Sequence, residues 1–269
     1  MGLKKFVSRI QGALGEGSDI QSMAPEGTRI YAIGDIHGRA DLLDGIQTRI
    51  VADALGFEGR KVIVFLGDYV DRGMDSRGVL DRLASGPPKG FEAIYLKGNH
   101  EEAMLQFLAD AEFGGTWKYY GGLETLHSYG VRELMRHDSL AEFEDARGKL
   151  LAALPDTHLA FLQSLETSAA FGDYFFVHAG VRPGVPLSQQ IDEDLLWIRE
   201  DFLLSDRSFG KVVVHGHTPE EHAVFRRNRI GVDTGAYMTG VLTALVLEGQ
   251  SRRLLQTGQD DVRTLAEAS

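Results

Sequence analysis

Cysteine is missing from all 269 residues, which removes disulfides, thiolate metal ligands and a cysteine nucleophile together. That absence fits a reducing compartment, and we expect a cytoplasmic protein, although exported proteins also lack cysteine at times. Long hydrophobic runs are missing too: none approaches the roughly 18 residues that cross a bilayer. Basic residues are scarce beside acidic ones, 28 against 39, for a formal net charge of -11. A broad nucleic-acid footprint is thereby disfavoured, and no nucleic-acid partner is expected. Internal repeats and low-complexity tracts are absent. What is there, 43% hydrophobic and 25% charged, suits a soluble globular chain of one large α/β domain or two small ones.

Residues 1–27 read as an amphipathic segment and a linker. Leu3, Phe6, Val7, Ile10 and Leu14 recur at helical spacing, with Lys4, Lys5 and Arg9 between them. Such a helix either lies on a membrane surface as a weak peripheral contact or docks its apolar stripe on the domain; we favour docking. Gly, Ser and Pro then accumulate up to Gly27. From Thr28 the pattern alternates strand and helix: strands over 29–33, 61–66 and 91–96, helices over about 40–55, 76–84 and from 99. This βαβαβ order predicts a parallel sheet with right-handed crossovers. Residues 111–165 read as a helical insertion, within which Phe113, Trp117, Tyr119 and Tyr120 among glycines form either a lid over a site or anchors to the sheet. Afterwards short strands dominate, beginning with a hairpin around Gly172-Asp173. The expected fold class is α/β, with two mixed β-sheets packed as a central sandwich and flanked by helices; its domain spans 28–256, and 257–269 is a tail. The parallel first half and meandering second half motivate that layout.

Five blocks concentrate Asp, His, Asn and Gly: Gly34-Asp35-Ile36-His37-Gly38, Gly67-Asp68-Tyr69-Val70-Asp71-Arg72-Gly73, Gly98-Asn99-His100-Glu101, His178-Ala179-Gly180 and His215-Gly216-His217. Each follows an apolar run, so its polar side chains stand at a strand end where the backbone turns. Carboxylate, imidazole and amide oxygen are what hard and borderline dications bind. Singly, each block has a plain structural explanation. Asp35-x-His37 could be a capped turn, Asp68 or Asn99 a helix cap, and His178 a hydrogen-bonded core residue. His215 reads as a supporting neighbour of His217. All five together, each at a strand end, exceed that explanation.

In combination, Gly-Asp-x-Val-Asp-Arg-Gly and Gly-Asn-His-Glu resemble the phosphoprotein phosphatase family of metallophosphoesterases, whose members include the bacteriophage lambda and calcineurin-type phosphatases. The resemblance runs from about Thr28 to Gly249. Leu196-Trp197-Ile198-Arg199-Glu200 and Gly231-Val232-Asp233-Thr234-Gly235 are similar to its bacterial and phage branch. It implies the calcineurin-like metallophosphoesterase fold and a site of two divalent metal ions. Carried over by position, Asp35 and His37 bind one metal, Asp68 bridges both, and Asn99, His178 and His217 complete the other. His100 becomes the general acid, with Asp71 holding its imidazole, and Arg72 and Arg199 grip phosphate oxygens. Lys97 departs from the family, which usually has Arg there.

The resemblance implies a serine/threonine protein phosphatase: a phosphomonoesterase acting on phosphoproteins by direct attack of a hydroxide held between the metals. With six N/O ligands and no thiolate the site suits Mn²⁺, Fe²⁺ or Zn²⁺, and Mn²⁺ is expected to restore chelated enzyme. The alternative is a dinucleoside polyphosphate hydrolase using the same site. Asp71, net charge and the lack of an obvious aromatic and basic motif for gripping nucleotides weigh against it. A phosphate sensor with a decayed metal site is a third reading, disfavoured because no ligand position is missing. No sign of the family's eukaryotic regulatory-subunit partners is present, and nothing in the sequence fixes an oligomeric state.

Overall fold

The computed structural model describes residues 22–132 and 137–258. The amphipathic segment and most of the tail therefore lie outside the described residues. Among the described residues, ten strands form two five-stranded mixed sheets. In the first, β1 (Thr28–Ile33), β2 (Arg60–Phe65) and β3 (Glu92–Tyr95) run parallel, and β9 (Thr243–Glu248) and β10 (Ser251–Gln256) add antiparallel on the far side of β1. The second holds β4 (Ser168–Phe171), β5 (Tyr174–Val177), β6 (Val212–His215), β8 (Arg229–Gly231) and β7 (Val224–Phe225), in that order. Here the structure departs from a meander. Strands β5, β6 and β8 are parallel, and the β9–β10 hairpin crosses over to the first sheet. Short strands separated by turns look alike in sequence whether their neighbour in space is consecutive or not, so pairing was the part periodicity could not give.

Alternation assigns the faces. Ile30, Ala32, Val62 and Val64 point inward against Tyr174, Phe176, Val212 and Val214, forming the layer between the sheets. Tyr31, Ile33, Ile63 and Phe65 point the other way. There they pack under α1 (Ala40–Asp53), α2 (Ser76–Ala84), α3 (Asn99–Ala109) and a helical block. That block comprises a 3₁₀ turn (Ala111–Phe113), α4 (Gly114–Tyr120), α5 (Gly122–Ser128), α6 (Leu140–Ala153) and α7 (Asp156–Gln163). The outer face of the second sheet is covered by α8 (Asp192–Trp197) and α9 (Glu200–Leu203) through Leu195 and Phe202. A last helical turn, α10 (Ala236–Thr239), follows β8. Strands buried on both faces read as continuous apolar runs, which is why they stood out in the sequence. No helix among the described residues is long and apolar enough to cross a membrane.

Trp117 is fully buried and stacks on Phe107 at 4.7 Å, so it anchors the insertion and is not a mobile rim. Tyr119 alone of that aromatic group is freely exposed, at 88%.

Candidate metal centre

The five blocks meet at the carboxyl ends of parallel strands. Residues 34–38 follow β1, 67–73 follow β2, 98–101 follow β3, His178 follows β5, and 215–217 close β6. The chain there is forced into left-handed backbone. His37, Asp68, Asp71, Arg72 and His217 have φ of 45°, 53°, 71°, 65° and 67°, and Asp138 is the only other non-glycine among the described residues with positive φ. Each such residue costs about 1–3 kcal/mol, so the clustering marks a site held by its surroundings. Glu101 is one such hold. Fully buried, it accepts from the backbone N–H groups of Asp68 (2.9 Å), Tyr69 (2.7 Å) and Gly98 (2.9 Å), pinning the 67–70 loop to the start of α3.

Asp68 sits at the centre. One carboxylate oxygen lies 3.4 Å from His37 Nε2 and 3.8 Å from His100 Nε2; the other lies 3.3 Å from His178 Nε2. Two groups of buried donor atoms result, one from His37, Asp68 and His100, the other from Asp68, His178 and His217. Asn99 joins the second: its Oδ1 is 2.9 Å from His178 Nε2 and 2.8 Å from His217 Nδ1.

The proton positions test whether cations fit. His37 Nδ1 donates to Val70 O (2.9 Å) and His178 Nδ1 to Leu66 O (2.8 Å), since carbonyls only accept. Both Nε2 atoms are therefore lone pairs facing Asp68. In the second group His178 Nε2, Asn99 Oδ1 and Asp68 Oδ1 are all acceptors, and only the Nδ1 proton of His217 is available among them. Acceptors crowded with too few protons repel one another unless a cation lies between them. His217 Nε2 and His100 Nε2 are moreover buried with no hydrogen-bond partner. Divalent cations fit this donor set, and a bound cation would reverse the repulsion.

Asp35, expected in the first group, is buried beside it but turned toward the second sheet. Its carboxylate accepts from the His217 backbone N–H at 3.0 Å and contacts Asp233. Burial, then Asp233 and Asp68, push its carboxyl well above the usual range. Burial also lifts Asp233, to about 6, and Glu101, to about 7, where Asp68 adds to the rise. For Asp68 burial is outweighed by its histidine neighbours, His178 first and then His100, so its carboxyl lies below the usual range; of these imidazoles only His100 is pushed toward its protonated form.

His100 and Asp71 form the expected pair: His100 Nδ1 donates to Asp71 Oδ2 at 2.8 Å. Burial disfavours the imidazolium, but Asp68 and Asp71 together raise its affinity for a proton. Arg72 donates to His37 Nε2 at 3.0 Å, and exposed Arg199 reaches Thr218 Oγ1 at 3.5 Å.

The family model described as calcineurin-like phosphoesterase matches residues 28–239. The chain belongs to that family. Among relatives of this calcineurin-like phosphoesterase is a bis(5'-nucleosyl)-tetraphosphatase PrpE of the asymmetrical type from Anoxybacillus flavithermus. It is 26% identical over 240 residues, covering 79% of this chain and 88% of the relative. Serine/threonine-protein phosphatase 2 of Salmonella typhimurium is 27% identical over 225 residues, covering 80% and 90%. A crystal structure described as a candidate diadenosine tetraphosphatase superposes with a TM-score of 0.58 at 19% identity, over 90% of this chain and 96% of that one. At that identity the likeness speaks for the fold alone. It agrees with the two mixed sheets and flanking helices expected from the sequence.

The tasks of several residues at the phosphoesterase site escaped the sequence reading. Trp117 Nε1 donates to Asp71 Oδ2 at 3.1 Å and Thr125 Oγ1 to its other oxygen at 2.7 Å, so the insertion holds Asp71 in place. Neither carries a local signal, because both act across long sequence separation. Glu101 was visible as the third residue after Gly98, a capping-box position, but its grip on the 67–70 loop was not. Three aromatic rings surround the donor groups. Tyr237 lies 5.3 Å from the His37 ring, Tyr120 lies 6.0 Å from His100, and Trp197 lies 5.5 Å from Tyr120 and 6.5 Å from His217.

Proposed function

We propose that this calcineurin-like phosphoesterase is a divalent-metal-dependent hydrolase of dinucleoside polyphosphates. The observation that carries the reading is the aromatic rim. Tyr237 lies beside His37 and the tilted Tyr120–Trp197 pair beside His100 and His217, with the Arg72 guanidinium 5.2 Å from the Tyr237 centroid. Bases stack on such faces for about 1–3 kcal/mol each. The sequence alone gave no such pairing, because Tyr120, Trp197 and Tyr237 come from separate segments. The tetraphosphatase relative adds to it. The net charge of -11 still repels a polyanion at long range, but salt screens that repulsion beyond about 8–10 Å. Close in, half-buried Arg72 is screened less than exposed Arg199.

His37, Asp68, Asn99, His178 and His217 would hold two cations, joined by Asp35 once its carboxylate turns from Asp233 toward His37, with Mn²⁺ the expected activator and Fe²⁺ or Zn²⁺ compatible. When bound, two divalent cations polarise a phosphoryl group and make water acidic enough to attack near neutral pH. The chain does the rest. Arg72 and Arg199 bind phosphate oxygens and orient the group in line. His100, protonated and held at Nδ1 by Asp71, offers its unpartnered Nε2 proton to the departing oxygen.

That same His100–Asp71 pair favours a second reading, the removal of phosphate from phosphoserine and phosphothreonine. An alkoxide leaving group needs protonation far more than a nucleotide phosphate does. The Salmonella relative is named for that activity. Side-by-side kinetics in one metal buffer decide between them. We expect kcat/KM for diadenosine tetraphosphate to exceed that for phosphothreonine and phosphoserine peptides; a preference for the peptides overturns the dinucleotide reading.

A further inference from the structure

A cavity of about 300 Å³ lies against the metal centre on the outer side of the second sheet. It is at the small end of ligand pockets, roughly 300–1,000 Å³. Its polar lining is His215, Thr218, Glu220, Arg226, Arg229 and Asp233, and Leu203 and Val224 supply apolar surface. Three observations mark it as a built site. First, His215 is 2% exposed, and its Nε2 has no hydrogen-bond partner. Its Nδ1 donates to Gly216 O at 3.0 Å, so Nε2 is a bare acceptor. Second, Arg229 is 8% exposed and donates to Leu203 O at 2.7 Å, yet no carboxylate among the described residues forms an ion pair with it. Glu220 and Asp206 act on the guanidinium only from beyond ion-pair distance, which leaves N–H donors for a ligand. Third, Gly231 makes the room: a Cβ there would stand 3.2 Å from His215 Cε1 and Nε2.

The cavity also shares a wall with the metal centre. Thr218 follows His217 and lies 3.5 Å from Arg199, and Asp233 contacts Asp35. A ligand here must donate to His215 and accept from Arg229, be flat enough to lie against leucine and valine, and reach phosphate at the neighbouring arginine. A purine does all of these: its edge carries an exocyclic or ring N–H beside ring nitrogens that accept from Arg. We infer that this cavity is a purine subsite that receives one base of the substrate while its phosphates pass Thr218 and Arg199 toward the metal centre. The substrate assignment rests on the dinucleotide reading; the binding of a purine does not.

Calorimetric titration of the full chain with unphosphorylated nucleosides tests the pocket apart from catalysis. Adenosine should bind, and purine riboside, which lacks the amino donor for His215, should bind roughly tenfold more weakly, the worth of one hydrogen bond. Val224→Trp fills the cavity and should abolish adenosine binding. Gly231→Ala, a smaller intrusion for which melting curves report folding, should weaken it at least tenfold. In kinetics Val224→Trp should raise KM for diadenosine tetraphosphate about tenfold and leave p-nitrophenyl phosphate unchanged. Absence of adenosine binding, or equal binding in both variants, overturns the subsite. Hydrolysis of the dinucleotide with KM unmoved by Val224→Trp also overturns it and leaves the dinucleotide reading standing. Adenosine binding that both variants weaken, without dinucleotide hydrolysis, sinks that reading and keeps the pocket.

Discussion

Asp71→Asn separates the role of a buried carboxylate in chemistry from its role in holding the fold. Asp71 is fully buried; Oδ2 accepts from His100 Nδ1 (2.8 Å) and Trp117 Nε1 (3.1 Å), and Oδ1 accepts from Thr125 Oγ1 (2.7 Å). An asparagine oxygen in the Oδ2 place keeps both of the first two donors. Its amide N–H then meets Thr125 Oγ1, whose own proton can turn to Ser76 Oγ at 2.9 Å. Shape and hydrogen bonds survive, so the stability loss should stay within about 1–2 kcal/mol. The charge does not survive. His100 keeps Asp68 but loses Asp71, the second carboxylate that favours its protonated form. A positioned general acid is worth roughly 10²–10⁴ in rate, about 3–5 kcal/mol. Steady-state kinetics on aryl phosphates of graded leaving-group pKa read this directly. The loss should be large for phenyl phosphate and shrink toward p-nitrophenyl phosphate, with metal content unchanged. An equal loss across the series refutes the general-acid assignment, and loss of metal would make His100 a ligand.

Three further expectations follow from particular contacts. Trp117→Ala should cost about 3–5 kcal/mol as a large core truncation, whereas Trp117→Phe should keep the stack on Phe107 and lower turnover through the lost Asp71 bond; melting curves and kcat together resolve the two. Gly216→Ala would drive a methyl into Asp35 Oδ1, so metal content by mass spectrometry should fall although no ligand is changed. Asp53 accepts from Tyr31 (2.7 Å) and Arg253 (2.6 Å); burial pushes its carboxyl up, but Arg253, Tyr31 and Arg29 bring it below the usual range. A lowered pKa stabilises above the unfolded value of about 3.9, so Asp53→Asn should lower Tm at pH 7, and its deficit should close as pH falls through the folded pKa.

What the sequence made legible was whatever is local. Apolar runs bounded by glycine gave β1, β2 and β3 to within a residue; β1 and β2 are buried along most of their length, and β3, at the sheet edge with Glu92 exposed, was marked by its short run up to Leu96. The donor blocks were legible for the same reason, as polar residues at the ends of such runs. Pairings over long separation were not. The return of β9 and β10 to the first sheet depends on contacts with β1 more than 200 residues away. Trp117 and Thr125 bracket Asp71 from 46 and 54 residues away, and their segment has only helical periodicity to show. Asp233 sat in a quoted motif but had no assigned task, because its partner Asp35 comes from the first strand. Tyr120 was offered as part of a lid and Trp197 stood in a quoted motif, but their meeting with Tyr237 across three segments was not legible, which tilted the sequence reading toward phosphopeptides.

Metal content tests the central claim most directly, that Asp68 lies between two cation sites. The purified chain, saturated with Mn²⁺ and freed of excess, should carry two metal ions by inductively coupled plasma mass spectrometry. Chelation should abolish hydrolysis and added Mn²⁺ restore it, and Asp68→Asn should lower occupancy of both sites at once. Full activity in exhaustively chelated protein, or Asp68→Asn protein that still binds two ions, would contradict the account.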